Sequence, residues 1–228
     1  MTSIRVISTL AVMGAMRELG AQYEAETGIA IDADFAPTVA LLARLRGGEV
    51  ADAAILTAAG IDDMIAEGVM RPGTRTDVAL SFVGIAVKAG APQPDIGTVA
   101  AFKATVLAAR SVAYSKIGAS GIFFASLIER LGIAAEVNAR AVVVPAGFTA
   151  ERLVSGECDL AVQQVSELMV VPGIDVVGPL PADIQTIATF SGGVLSNSRQ
   201  LEQAAGLLRF LASPSIAPIL RRTGLEPA

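Results

Sequence analysis

Short apolar runs alternate with stretches in which apolar residues return every three or four positions, and this alternation holds almost to the end of the chain. Residues 4–8 form the first run, a strand; Met13, Met16, Leu19 and Tyr23 then share one helical face, and Thr27-Gly28 stops that helix. Residues 29–35 predict a second strand, and Thr38 opens a helix carrying Leu41, Leu42 and Leu45 that ends at Gly47-Gly48. A short third strand, 53–56, leads to Thr57, which is positioned to cap a helix over 58–67. Three βα units in succession imply a parallel sheet with helices on its faces.

The pattern breaks at 68–72 and gives way to a long apolar stretch, 77–88, that reads as an extended crossing segment, with a surface turn at Ala91-Pro92-Gln93-Pro94. A second series follows: helix 99–109, strand 111–114, helix 119–131, strand 141–144, helix 149–155 and strand 160–163. Extended segments at 174–177 and 187–190 and two closing helices, 198–212 and 215–222, complete the prediction. The restart predicts an α/β protein of two lobes, each a mostly parallel sheet flanked by helices, joined by two crossover segments. Lobe 1 is expected to span 1–79 plus 190–228, and lobe 2 to span 80–189. A cleft between two such lobes is a natural place for a small ligand.

Composition then narrows the chemistry. With 53% hydrophobic and 17% charged residues and no Trp, the core is built from Ala, Val, Leu and Ile, as buried parallel strands require. The net charge of -5, with no run of Lys or Arg, argues against nucleic acid as a partner. A small anion remains possible, because backbone N–H groups and hydroxyls hold anions without net positive charge. His is absent and Cys158 is the single cysteine, so His/Cys metal sites, Ser–His and Cys–His pairs and an intrachain disulfide all drop out. No metal and no cofactor is expected, and Cys158 reads as a small packing residue. No apolar run approaches a membrane span, and residues 1–5 lead into a strand without the features of a secretory signal. The expected location of the chain as given is cytoplasmic, or periplasmic if a signal has been removed.

Four strand ends carry small hydroxyl residues ahead of a helix: Ser8-Thr9, Thr38, Thr57, and the loop Ser115-Lys116-Ile117-Gly118-Ala119-Ser120-Gly121. The carboxyl ends of parallel strands share one rim, where ligands bind in open α/β sheets. Each hydroxyl is either a helix cap or a ligand donor. The loop ending in Ser120 and Gly121 lacks both the Lys-Ser/Thr ending of a phosphate-binding P-loop and the spacing of a dinucleotide fingerprint. Lys116 is an anion contact or an exposed loop lysine, and Arg75 reaches the cleft or pairs with Asp77. Gln163-Gln164 ends a strand with two amides that bind ligand or bond between lobes. Pro145-Ala146-Gly147-Phe148 is a further small-residue turn offering backbone N–H groups.

Taken in order, residues 8–16, Glu26-Thr27-Gly28, Phe35-Ala36-Pro37-Thr38, Gly48-Glu49-Val50-Ala51-Asp52, the 115–121 loop and Leu131-Gly132-Ile133 resemble the molybdate-binding type of the type II periplasmic binding protein superfamily, over essentially the full length. The resemblance implies a two-lobed fold that holds a tetrahedral oxyanion through hydroxyls and backbone N–H groups. The matching positions are Ala11 with Ser8 and Thr9 nearby, Thr38, Ser120, Gly147 and Gln163. Ala11 stands where that family places a ligand serine, and Gln163 where it often has a tyrosine, which suits a larger carboxylate ligand as well as molybdate. The chain is also similar to the branch of the superfamily that includes aconitate isomerase.

The leading expectation is a protein that closes on a small anion, as the solute-binding proteins of ABC transporters do, with a transporter permease as partner if it is exported. The alternative is a cofactor-free isomerase of small di- or tricarboxylates, which needs a proton carrier among Lys116, Tyr114, Glu167 or an activated hydroxyl. A third is a sensor whose closure a partner reads.

Overall fold

The computed structural model describes residues 2–228. In chain order the elements are β1 (Thr2–Thr9), α1 (Met13–Thr27), β2 (Ile29–Ala36), α2 (Thr38–Arg46), β3 (Ala53–Thr57), α3 (Ala58–Ala66) and β4 (Thr76–Lys88). Then come α4 (Val99–Ala108), β5 (Val112–Ser115), α5 (Ala119–Arg130), α6 (Ala134–Asn138), β6 (Val142–Val144), α7 (Glu151–Val154), β7 (Leu160–Gln164), α8 (Val165–Leu168) and β8 (Ile174–Pro179). The chain ends with β9 (Ile187–Val194), α9 (Leu201–Leu211), α10 (Ala217–Arg222) and β10 (Glu226–Pro227). It divides into two compact units: unit 1 runs to Ser81 and resumes at Ala188–Ala228, and unit 2 is Phe82–Ile187.

Unit 1 is built on three parallel strands in the order β2-β1-β3, to which β9 adds antiparallel against β3. β1 alternates its side chains between two cores, as a strand buried on both faces must. Ile4 and Val6 join Met16, Leu19, Tyr23, Leu207 and Leu211 of α1 and α9, while Ile7 joins Leu41, Leu45, Ile61 and Met64 of α2 and α3. Helix α1 stops at Gly28, whose φ of 71° is left-handed and whose N–H bonds the Glu24 carbonyl.

Unit 2 repeats the plan, with parallel strands in the order β7-β5-β6. The second half of β4 joins antiparallel to β7 and β8. On one face Val112, Tyr114, Leu160 and Val162 pack against Phe102, Phe124 and Leu127; on the other Ala113, Ala161 and Ala86 face Leu153, Cys158 and Leu168. The small alanines let the short helices α7 and α8 approach closely on that second face.

Each parallel core is thus bordered by antiparallel crossing strands, so the sheets are mixed; strand direction depends on where the chain re-enters, which a periodic pattern does not encode. Three predicted helices are shorter than expected. α9 begins at Leu201 rather than 198, because the Ser198 hydroxyl donates to Asp52 at 2.7 Å and accepts the Gln200 amide at 3.0 Å. α7 begins at Glu151 because the Thr149 amide and hydroxyl are bonded elsewhere. α10 begins at Ala217, after a 3-10 turn at Pro214–Ile216. No helix among the described residues is long and apolar enough to cross a membrane.

Candidate functional site

The parallel registers define a carboxyl rim in each unit. In unit 1, Thr9 lies level with Ala36, and Ser8 with Ile55, so Ser8, Thr9, Thr38 and Thr57 all stand at the same strand ends. Their hydroxyls are used differently. Ser8 is fully buried and donates to the Thr9 carbonyl at 3.3 Å. The Thr9 hydroxyl accepts the Ala11 amide at 3.5 Å. Thr57 caps α3 by accepting the Gly60 amide at 3.3 Å. Thr38 is half-buried at the start of α2 and its hydroxyl makes no hydrogen bond among the described residues; Pro37 occupies the cap position instead.

In unit 2, Ser115 pairs with Val144 of β6, and one residue beyond the Tyr114–Val162 pair Gln163 comes level with Ser115. Buried Ser115 folds the loop back by accepting the Gly118 amide at 2.9 Å, while the Lys116 amide donates to the Val144 carbonyl at 2.8 Å. Helix α5 then starts directly against the strand end. A methyl group on Gly121 would fall 1.8 Å from the Ser115 carbonyl oxygen, so only glycine permits this approach. The first-turn amides of Ala119 and Ser120 have no partner within the helix. Ser120 is 2% exposed, yet its hydroxyl makes no hydrogen bond among the described residues. A hydroxyl without a protein partner on a largely buried serine, beside two helix-start amides, is an arrangement that an anion completes.

The neighbouring strand end is a closed network. Gln163, 2% exposed, accepts from the Thr149 amide at 2.8 Å and the Thr149 hydroxyl at 3.0 Å, and its Nε2 donates to the Gly147 carbonyl at 3.2 Å. This amide pins the turn whose apex is Gly147, at φ 88°. The carbonyl oxygen of Gln163 is therefore spent inside unit 2. Glu167 sits one helical turn on, accepting the Gln164 amide at 3.4 Å in a capping box. Burial pushes its carboxyl group up to about 7, opposed by hydrogen bonds from the Gln164 backbone and the Gln163 side chain.

Other predicted positions have plainer surroundings. Arg75 is held by Asp62 at 2.6 Å and by Asp77 at 3.1 Å, an exposed network in unit 1. Lys116 is exposed, with no ion pair among the described residues. The Tyr114 hydroxyl donates to Asn138 at 2.8 Å, its ring lies 5.2 Å from that of Phe124, and burial pushes its pKa up, which makes it a core residue. Burial also raises the Cys158 thiol to about 11, as befits packing rather than reactivity. A cavity of about 600 Å³ lined by Val87, Pro92, Ala109, Cys158 and Leu160 lies at the opposite, amino-terminal edge of β5 and β7, away from the rim. Thr149 and the burial of Glu167 escape sequence reasoning; the one available signal is the spacing Gln164-x-x-Glu167, a capping-box pattern.

A family model described as bacterial extracellular solute-binding protein matches residues 4–226. A Pseudomonas sp. protein named aconitate isomerase is 37% identical over 232 residues, covering 99% of this chain and 88% of that protein. Among solved structures, the Azotobacter vinelandii periplasmic molybdate-binding protein superposes with a TM-score of 0.81 at 16% identity, over 97% of this chain and 98% of the other. The sulfate-binding protein of Mycobacterium tuberculosis gives 0.79 at 15% identity, over 100% and 88%. The two structures share the fold.

Proposed function

Because the chain belongs to the bacterial extracellular solute-binding proteins, we propose that it binds a small anion, an oxyanion or a small carboxylate, through hydroxyl and backbone N–H donors at the carboxyl rim of unit 2. The observation that carries this reading is Ser120: a hydroxyl with no partner among the described residues, on a largely buried residue one position into a helix whose first amides are free to bond a ligand. The Gly147 turn, fixed by Gln163, supplies a second backbone edge on the same rim. Thr38, whose hydroxyl makes no hydrogen bond among the described residues, is the corresponding free donor of unit 1, to be tested separately. The names of the molybdate- and sulfate-binding neighbours agree with an oxyanion. If the chain is exported, the partner on this reading is the permease of an ABC transporter, which takes up the bound anion.

The test is thermal unfolding of the protein with molybdate, tungstate, sulfate, citrate and trans-aconitate at millimolar concentration and about pH 6. A ligand at about 100 times its Kd adds about 2.7 kcal/mol to stability, readily seen as a rise in Tm. No rise with any of the five removes the reading.

A second reading is favoured by the relative named aconitate isomerase. On this reading the protein isomerises a small unsaturated tricarboxylate: a proton leaves one carbon, the double bond shifts, and a proton returns to another carbon. Of the carriers proposed, Tyr114 is tied to Asn138 and Lys116 is exposed, whereas Glu167 is a carboxyl group whose burial brings it near neutral pH. Deuterium uptake from solvent into cis- or trans-aconitate, with the matching ultraviolet change, tests it. Neither signal at high protein concentration leaves binding as the sole activity.

A further inference from the structure

The cavity at the amino-terminal edge of β5 and β7 plays no part in binding an anion at the rim. Leu160 on its wall and Gln163 at the rim lie three residues apart on β7, so about 10 Å of strand separates the two places. At about 600 Å³ the cavity is of a size that holds small organic molecules, roughly 300–1,000 Å³. Its buried wall is apolar: Val87 from β4, Leu153 from α7, Cys158 just before β7 and Leu160 at its start. Such a wall suits a hydrocarbon body and offers nothing to a small inorganic oxyanion. The facing wall is the stretch after β4, where Ala91, Pro92 and Pro94 line the cavity. That stretch is tied down at both ends. The Ala89 amide donates to the Gly173 carbonyl at 3.0 Å and the Gly90 amide to Asp175 at 2.9 Å, while the Thr105 hydroxyl of α4 donates to the Asp95 carbonyl at 2.8 Å. A wall fixed in this way, and stiffened by its prolines, lowers the ordering cost of taking up a ligand.

Three charged side chains line the cavity, Lys88, Arg110 and Asp159, and two of them neutralise each other. One oxygen of the Asp159 carboxylate accepts the Arg110 amide at 2.9 Å and the other accepts Nη2 of the same arginine at 3.0 Å; that Nη2 also donates to the Gly156 carbonyl at 3.1 Å. Lys88 is exposed and has no ion pair among the described residues. Its ammonium meets only the Val154 carbonyl, at 3.4 Å, a long bond that leaves donors for a ligand. The acids nearby are engaged elsewhere, Asp175 with the Gly90 amide and Glu157 with Arg152 at 3.0 Å. Two cations against one carboxylate leave the cavity with a single uncompensated positive charge beside an apolar wall. The complement is a molecule with one negative charge and an apolar body, and a dianion has no second cation to meet.

We propose that this cavity is a second ligand site, separate from the rim, for a monocarboxylate with a medium-length apolar tail, the tail lying against Val87, Leu153, Cys158 and Leu160 and the carboxylate on the Lys88 ammonium. The site stands or falls independently of what binds at Ser120.

Isothermal titration of the full chain at neutral pH with hexanoate, octanoate and decanoate at millimolar concentration tests the proposal, with 1-octanol as the neutral probe and suberate as the dianion. Affinity is expected to rise about three- to fourfold for each added methylene, as burial of a CH₂ group requires. Octanoate is expected to bind about fivefold tighter than 1-octanol, the scale of an exposed ion pair, and tighter than suberate. Lys88→Met is expected to erase the preference for octanoate over 1-octanol while leaving 1-octanol binding unchanged. Cys158 is the single thiol of the chain and lines the cavity, so its alkylation by iodoacetamide is expected to slow in proportion to the octanoate-bound fraction. No saturable binding of any of the three monocarboxylates, the same octanoate preference in Lys88→Met, or an unprotected Cys158 at saturation overturns the proposal. If Lys88→Met does not fold, the wild-type comparison decides, and equal affinity for octanoate and 1-octanol overturns it. A chain that self-associates and loses octanoate binding as it does so gives the cavity to a second copy, which overturns it as well.

Discussion

Replacing Glu167 by Gln changes how stability depends on pH near neutrality. The carboxyl group has an ordinary pKa of 4.5 and about 7 in the fold, so between these values the folded protein holds a proton that the unfolded chain has released. Its stabilising protonated form is fully present below about pH 4.5, and that contribution is lost as pH rises through about 7. At about 1.4 kcal/mol per pH step the whole effect is about 3 kcal/mol, of which about 2–3 kcal/mol falls between about pH 5 and 8. The chain has no histidine to titrate there. Arg44, with help from Arg5, holds Glu49 at about 2, and Cys158 is pushed up to about 11, both outside the window. Urea unfolding of wild type and Glu167→Gln across that range is the assay. Tyr114 is the only tyrosine of unit 2 and Trp is absent, so fluorescence in a Tyr23→Phe background reports that unit alone. The variant is expected to gain about 2–3 kcal/mol relative to wild type from the acid to the alkaline end. Parallel pH profiles for the two proteins would refute the burial argument.

Ser120→Ala is expected to leave urea stability within about 0.5 kcal/mol of wild type, since the hydroxyl has no partner to lose, but to weaken anion binding about tenfold by calorimetry; unchanged affinity removes Ser120 from the site. Gly121→Ala forces a methyl group to within 1.8 Å of the Ser115 carbonyl and is expected to cost at least about 2 kcal/mol by thermal unfolding; a Tm equal to that of wild type shows that α5 can shift away at no cost. Asp52 accepts from the Arg5 amide at 2.9 Å, Ser198 at 2.7 Å and Gln200 at 3.2 Å, and Asp52→Ala is expected to destabilise by about 3 kcal/mol in urea and to loosen the entry to α9, seen as faster amide exchange at 198–204.

The strands and long helices of both units are legible in the sequence because their cores impose a period: Ile4, Val6 and Ile7 divide between two faces, and Met16, Leu19 and Tyr23 return to one. The one-turn helices α6 and α8 are too short to show a period at all. Strand direction was equally hidden, which is why the antiparallel entries of β9 and β8 came only from the structure. At the rims, the small hydroxyl residues mark the strand ends, but each can cap, fold a loop or stand free. Thr57 caps, Ser115 folds its loop, and Ser120 and Thr38 do neither, a division set by backbone geometry beyond local sequence. For Glu167 the sequence shows a carboxylate near two glutamines; that it is buried, which pushes its carboxyl group up to about 7, is a tertiary fact.

The placing of β9 between β3 and β4 bears on how the chain emerges from the ribosome. Unit 2 ends at Ile187, so all of its residues are available while unit 1 still lacks the strand that begins at 187 and helices α9 and α10. Until those residues arrive, β3 has an open edge beside Ala53-Ala54-Ile55-Leu56, all of them fully enclosed in the finished protein. Synthesis thus leaves an apolar edge of unit 1 waiting for the last fifth or so of the chain, while every residue of unit 2 is already available.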